Sequence, residues 1–234
     1  MSTLNSERAI SALFVGDTKP ALASTGERVA DALRALLIEG RIAPATRMSE
    51  EAFASAMGVS RNTLREAFRL LAHENLLVHE LNRGVFVRQL TAADIHSIYQ
   101  VREMIELAAV RSKATHTAAG ISRLRLAVTQ GLAAAEVEDW SGVGTANMNF
   151  HTAIAALAAN ERIDAMMRRT LAEQRLAFHV MHPIRDFHEP YLPDNERICR
   201  LLEDRELEEA QAELAAYLER AEQQLVDAYR ALEN

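Results

Sequence analysis

The sequence predicts a mainly α protein in two parts: a short helix–helix–turn–helix–hairpin module followed by an all-α antiparallel helical bundle. Three observations carry that expectation. Ala, Leu, Arg and Glu dominate a chain with only 9 Gly, 5 Pro and 5% aromatic residues, which is helix-forming composition. Apolar residues recur at helical spacing through most of the chain, and only two short runs near its middle read as strands. Charge is split as well. Residues 1–90 hold 11 Lys+Arg against 10 Asp+Glu, whereas residues 91–234 hold 15 against 23. The overall balance of −7 argues against nucleic acid, but an acidic second module leaves a basic face on the first effective, because exposed charges are screened within about 10 Å.

Residues 1–25 show no periodicity and are expected to form a flexible arm. Ser24 and Glu27 have capping-box spacing, and Val29, Leu33, Leu36 and Leu37 give the first helix one apolar face. Gly40 and Pro44 end it. Ser49 caps a second helix, buried through Phe53, Ala54 and Met57 and stopped at Gly58. Ser60 caps a third, carried by Leu64, Ala67, Phe68 and Leu71, with Asn75 at its left-handed end. The runs 76–80 and 85–89 flank Leu81-Asn82-Arg83-Gly84 and read as a β-hairpin. That order is a winged helix-turn-helix over residues 26–89. From Thr91 onward everything reads helical, with a break over 140–144, a loop punctuated by Pro183, Pro190 and Pro193, and final helices over about 194–203 and 207–231. No run spans a bilayer, no signal-peptide core opens the chain, and Cys199 is the single cysteine, so a cytoplasmic protein without cysteine-held zinc is expected.

The segment Gly58-Val59-Ser60-Arg61-Asn62-Thr63-Leu64-Arg65-Glu66-Ala67 places Ser60, Arg61, Asn62, Thr63 and Arg65 in the first two turns of a capped helix. In a helix-turn-helix those positions meet base edges and phosphates in the major groove. Arg pairs bidentately with guanine, and hydroxyls at a helix N-terminus suit phosphate. In the second module Ile95, Ile98, Tyr99, Ile105 and Ala109 form one stripe with Arg102 and Glu106 in its middle. Two readings stand for Arg102: a brace paired with Glu106, or a guanidinium kept for a ligand carboxylate.

From Glu27 to Val87 the chain resembles GntR-type bacterial transcription regulators. The resemblance rests on residues 37–44, Met48-Ser49-Glu50, residues 58–67 and Asn82-Arg83-Gly84-Val85-Phe86-Val87. It implies operator contacts by Arg61, Thr63 and Arg65, with Arg83 and Gly84 at a wing tip in the minor groove. Glu51 departs from the pattern, since the family usually has a DNA-binding Arg there. Residues 90–234 resemble the FadR subgroup, whose effector domain is the all-helical FCD type, on Val101-Arg102-Glu103-Met104-Ile105-Glu106, Asn147, Phe150-His151, Asn160 and residues 198–210. That implies a homodimer on a palindromic double-stranded DNA operator, regulated by a small carboxylate effector. The four positions that hold a metal in the family are here Asn147, His151, Asn195 and Tyr217, a poor set for zinc or nickel. The expectation is therefore no metal and no cofactor, with Arg102, Asn147, His151, Asn195 and Tyr217 binding the effector directly. His179, His182 and His188 are read as solvated loop residues, with substitution for lost metal ligands as the alternative. An enzyme with a helical catalytic half lacks a nucleophile–base pair, a P-loop or a dinucleotide fingerprint. A purely architectural DNA-binding protein leaves the buried polar set unused.

Overall fold

The structure is a computed structural model that describes residues 26–112 and 116–233; the expected arm and the Ser24 cap lie outside the described residues. It divides into two compact units at Gln89/Leu90.

In the first unit α1 (Gly26–Ile38), α2 (Glu50–Met57) and α3 (Arg61–His73) precede the hairpin β1 (Leu77–Glu80) and β2 (Gly84–Val87). Val29, Leu33, Leu36 and Leu37 of α1 are buried against α3. Phe53 and Phe68 meet edge-on at 6.3 Å, fixing α2 on α3; losing either ring would cost about 3–5 kcal/mol. Ser49 accepts a hydrogen bond from the Ala52 amide and Ser60 one from the Thr63 amide, so both serines cap as the spacing predicts. Between them Gly58 sits at φ +68°, a left-handed turn that a side chain would strain. Asn75 adopts φ +60°. The strands pair antiparallel, Leu77 opposite Val87 and Glu80 opposite Gly84.

The second unit is all helix: α4 (Ala92–Arg111), α5 (Ala118–Glu136), α6 (Trp140–Ala156), α7 (Glu161–Arg175), a 3-10 turn (Leu176–Val180), α8 (Ile184–His188), α9 (Tyr191–Glu203) and α10 (Leu207–Glu233). Thr91 and Asp94 form a reciprocal capping box for α4. Helix α6 packs on α5, α4 and α7, while α10 packs on α4 and α9, so the inward faces of α4, α6, α7 and α10 surround one core. Arg125 clamps α5 to α9 through Glu203 and Glu196 at 2.6–2.9 Å.

Two boundaries differ from the sequence expectation. Residues 140–144 are not a break but the opening of α6: the Asp139 carboxylate accepts from the Gly142 amide and caps the helix there. The chain reverses just before, at Glu138 with φ +56°. Pro193 lies inside α9, in its first turn, where a missing N–H costs no helical hydrogen bond. The expected loop is thus a 3-10 turn, the short α8, and an earlier start to α9.

Candidate DNA-reading and effector sites

In the first unit the cap on Ser60 exposes the opening of α3. Arg61, Asn62 and Arg65 are exposed, and the Ser60 and Thr63 hydroxyls lie 2.8 Å apart. The arginines are held by acids of α2: Arg61 Nη2 lies 3.1 Å from Glu51, and Arg65 Nε lies 2.7 Å from Glu50. Arg83 precedes the wing strand, pairs with Glu80 and lies over the Phe86 ring at 5.3 Å. Gly84 opens β2. Exposed ion pairs contribute little and yield easily to phosphate, so these carboxylates orient the arginines without locking them.

The second unit holds a buried polar row. Arg102 Nε donates to Glu106 Oε1 at 2.8 Å, and His151 Nδ1 donates to Glu106 Oε2 at 2.6 Å. Arg102 Nη1 donates to Gln174 Oε1 at 3.0 Å, whose amide in turn donates to the Tyr99 hydroxyl at 3.0 Å. Burial alone would push the Glu106 carboxyl up, but Arg102 and His151 together hold it below the ordinary range. Burial lowers His151, which leaves a neutral ring at pH 7. The brace between Arg102 and Glu106 is therefore real, and still leaves Arg102 Nη2 and His151 Nε2 buried with no hydrogen-bond partner in the protein. Unmet polar atoms at such depth are costly.

The four positions aligned with the family's metal ligands do converge. Asn195 Nδ2 and the Tyr217 hydroxyl both donate to Asn147 Oδ1, at 2.8 and 2.9 Å, and the His151 and Tyr217 rings pack at 5.0 Å. The two amides and the phenol form a hydrogen-bond network, and the His151 imidazole packs against the phenol while its Nδ1 bonds Glu106. Among the described residues no group of three or more His, Cys, Asp or Glu is placed to hold a metal. The loop histidines divide: His182 is exposed, His179 half-buried, and His188 buried rather than solvated, because Phe178 and Phe187 pack on its ring at 4.9 and 5.0 Å.

Sequence reasoning missed Gln174, Arg175 and the burial of His188. The first two had a signal, since Gln174 continues the apolar stripe of Met167 and Leu171 at helical spacing. His188 had none, because only the packing of α8 buries it.

Residues 25–87 match the family of bacterial regulatory proteins named gntR, and residues 97–220, more than half of the chain, match the FCD domain. The chain belongs to the GntR family of transcriptional regulators and carries an FCD effector domain. A solved chain from Rhodococcus sp. RHA1, assigned as a GntR transcriptional regulator, is 45% identical with TM-score 0.83, covering 87% of this chain and 98% of that one. The Nta operon transcriptional regulator of Aminobacter aminovorans is 28% identical over 80% of this chain and 88% of its own. The gluconate operon transcriptional repressor of Bacillus licheniformis is 43% identical over 36% of this chain and 34% of its own. With that repressor, the match spans about a third of the relative's length, and the family model matched there is that of bacterial regulatory proteins. No helix among the described residues is long and apolar enough to cross a membrane.

Within this family Glu51 is the informative departure. Replacing it by Arg removes an exposed carboxylate beside Arg61 and adds a phosphate-seeking cation. Operator affinity should rise, with a salt dependence steeper by about one to two phosphate contacts. Fluorescence anisotropy across a salt series measures both; an unchanged slope would mean that position 51 does not face the DNA.

Proposed function

We propose that this regulator is a cytoplasmic repressor that binds a palindromic operator as a homodimer and is controlled by a small organic acid in its helical domain, without a metal. The observation that carries the reading is the pairing of two features in one chain. A capped helix opening exposes Arg61 and Arg65, and a buried row of polar side chains on α4, α6, α9 and α10 keeps Arg102 Nη2, His151 Nε2 and Asn195 Oδ1 unmatched. Ser60, Asn62, Thr63, Arg83 and Gly84 complete the DNA face; Arg102, Asn147, His151, Asn195 and Tyr217 complete the effector face. Buried polar atoms that no protein group meets are costly to leave bare, which suits them to a ligand's polar groups. The repressor role is supported by likeness to the gluconate operon repressors over the DNA-binding part. A ligand that fits one arrangement of the domains better than another shifts their population and with it DNA affinity.

The test begins with metal analysis and sedimentation of protein purified without chelator, followed by selection of operator DNA from random sequence. Organic acids are then added to the protein–operator complex. Expected are a dimer, well under one transition metal per chain, a symmetric selected site and release by some of the acids. No sequence preference in the selected DNA would remove the operator-binding repressor reading. Stoichiometric metal that only strong chelators strip would replace the metal-free pocket by a metal-dependent one.

A further inference from the structure

Apart from the Arg102 end of the row, a second set of buried polar groups meets under Gly144 of α6. Arg175 Nη2 donates to the Ser141 carbonyl at 3.1 Å, and its guanidinium lies 5.5 Å over the Phe178 ring. A Cβ placed on Gly144 would fall within 2.6 Å of both Arg175 Nη1 and His188 Nε2, so the two nitrogens converge on the space that this glycine leaves open. Both ring nitrogens of His188 are buried without a hydrogen-bond partner in the protein, as is Asn195 Oδ1. A void of about 10 Å³ lies beside them, lined by Gly131, Val143, Asn147, His188, Leu192 and Asn195. That is room for about one water-sized particle. Leu192 is only half-buried, so moving its side chain toward solvent enlarges the void.

The chemistry at this point suits an anion. The buried charged side chains of the helical unit include two guanidinium groups, Arg102 and Arg175, and one carboxylate, Glu106, which Arg102 and His151 already engage. Burial and the neighbouring guanidinium push His188 down to about 3, so at neutral pH its ring offers one N–H donor and one acceptor. A carboxylate lying between Arg175 and the His188 N–H meets charge-assisted donors on one side. Gly144, Asn147 and His151 occupy one face of α6 at i, i+3 and i+7, which puts the Gly144 end about 10 Å along the helix from the His151 end. Asn147 bridges the two, touching Asn195 and Tyr217.

The geometry points to a second anion seat formed by Arg175, His188 and Asn195 under Gly144, so that the effector is a short dicarboxylic acid with one acid group at the Arg102 end and the other in this seat. The inference rests on the acid-effector reading and adds to it the second acid group.

Calorimetric titration of the whole chain with succinate, glutarate and adipate, and with butyrate as the one-ended control, decides the matter. At least one diacid should bind at least about tenfold tighter than butyrate, as expected for an added charge-assisted contact. Gly144→Ala, which places a methyl group in the seat, should bring that diacid down to the butyrate level. His188→Phe should do the same, and His188→Gln, which keeps a donor and an acceptor, should recover part of the difference. If Gly144→Ala does not fold, the two His188 variants carry the comparison. Butyrate binding as tightly as every diacid overturns the second seat and leaves the acid effector standing. A diacid advantage that survives the seat variants also overturns it. Binding of neither class removes the acid effector itself and the seat with it.

Discussion

Replacing Arg61 and Arg65 together by alanine should abolish sequence-specific operator binding while the fold stays intact. Each arginine projects from the first two turns of α3, exposed and held only by Glu51 or Glu50 across a solvent-facing gap. Loss of one base or phosphate contact of this kind costs about 1–3 kcal/mol, and the pair together removes most of the difference between specific and non-specific binding. Stability should scarcely change, because exposed ion pairs contribute about 0–1 kcal/mol. Glu50 and Glu51 then lose their arginine partners, and their uncompensated charge should weaken residual binding further. Anisotropy against the selected operator and a scrambled duplex, with circular dichroism on the same samples, measures both halves. Near-wild-type operator affinity for the double variant would sink the assignment of α3 as the reading helix.

The second large effect is expected inside the helical unit. Arg102→Ala removes the cation beside Glu106, a fully buried carboxylate. Breaking one side of a buried pair costs about 3–5 kcal/mol, because the other charge stays behind without compensation. The pH dependence should also reverse. In the wild type burial pushes the Glu106 carboxyl up, but Arg102 and His151 outweigh it and hold the group below its ordinary range. Such a group contributes stability above its unfolded pKa that is lost as pH falls through the folded value. Without Arg102 burial prevails, the folded pKa rises above the unfolded one, and stability is instead lost as pH climbs through the carboxylate range toward neutrality. The gap between wild type and variant should therefore be widest near neutral pH and narrow toward about pH 4. Urea unfolding at both pH values reads it directly; a gap that does not move with pH would mean Glu106 is not the group left stranded. The double substitution Arg102→Met, Glu106→Leu should recover much of the stability, since apolar groups of similar volume replace buried ion pairs at little cost. It should not recover effector binding, which separates the brace from the ligand contact.

The sequence by itself determined whatever depends on near neighbours in the chain. Ser49, Ser60 and Thr91 announced three helix starts because a hydroxyl can reach amides only two or three residues on, and all three cap as their spacing requires. Leu81-Asn82-Arg83-Gly84 announced a turn for the same local reason, and Asn82 takes a left-handed conformation there. The stripe of Ile95, Ile98 and Tyr99 showed that Arg102 and Glu106 face inward, because one helical period fixes one face. The break over 140–144 failed because glycines weaken a helix on average, whereas the Asp139 cap and the packing of α6 hold this one from Trp140 onward. Only the tertiary structure decided what those inward residues meet. That Arg102 also meets Gln174, that Asn195 and Tyr217 share the oxygen of Asn147, and that His188 at the end of α8 lies beside Arg175 all join residues from different helices. Partners that far apart in sequence carry no periodic signal. Their meeting is set by how α4, α6, α7, α9 and α10 pack, and buried polar groups take whatever partners that packing brings within hydrogen-bond reach.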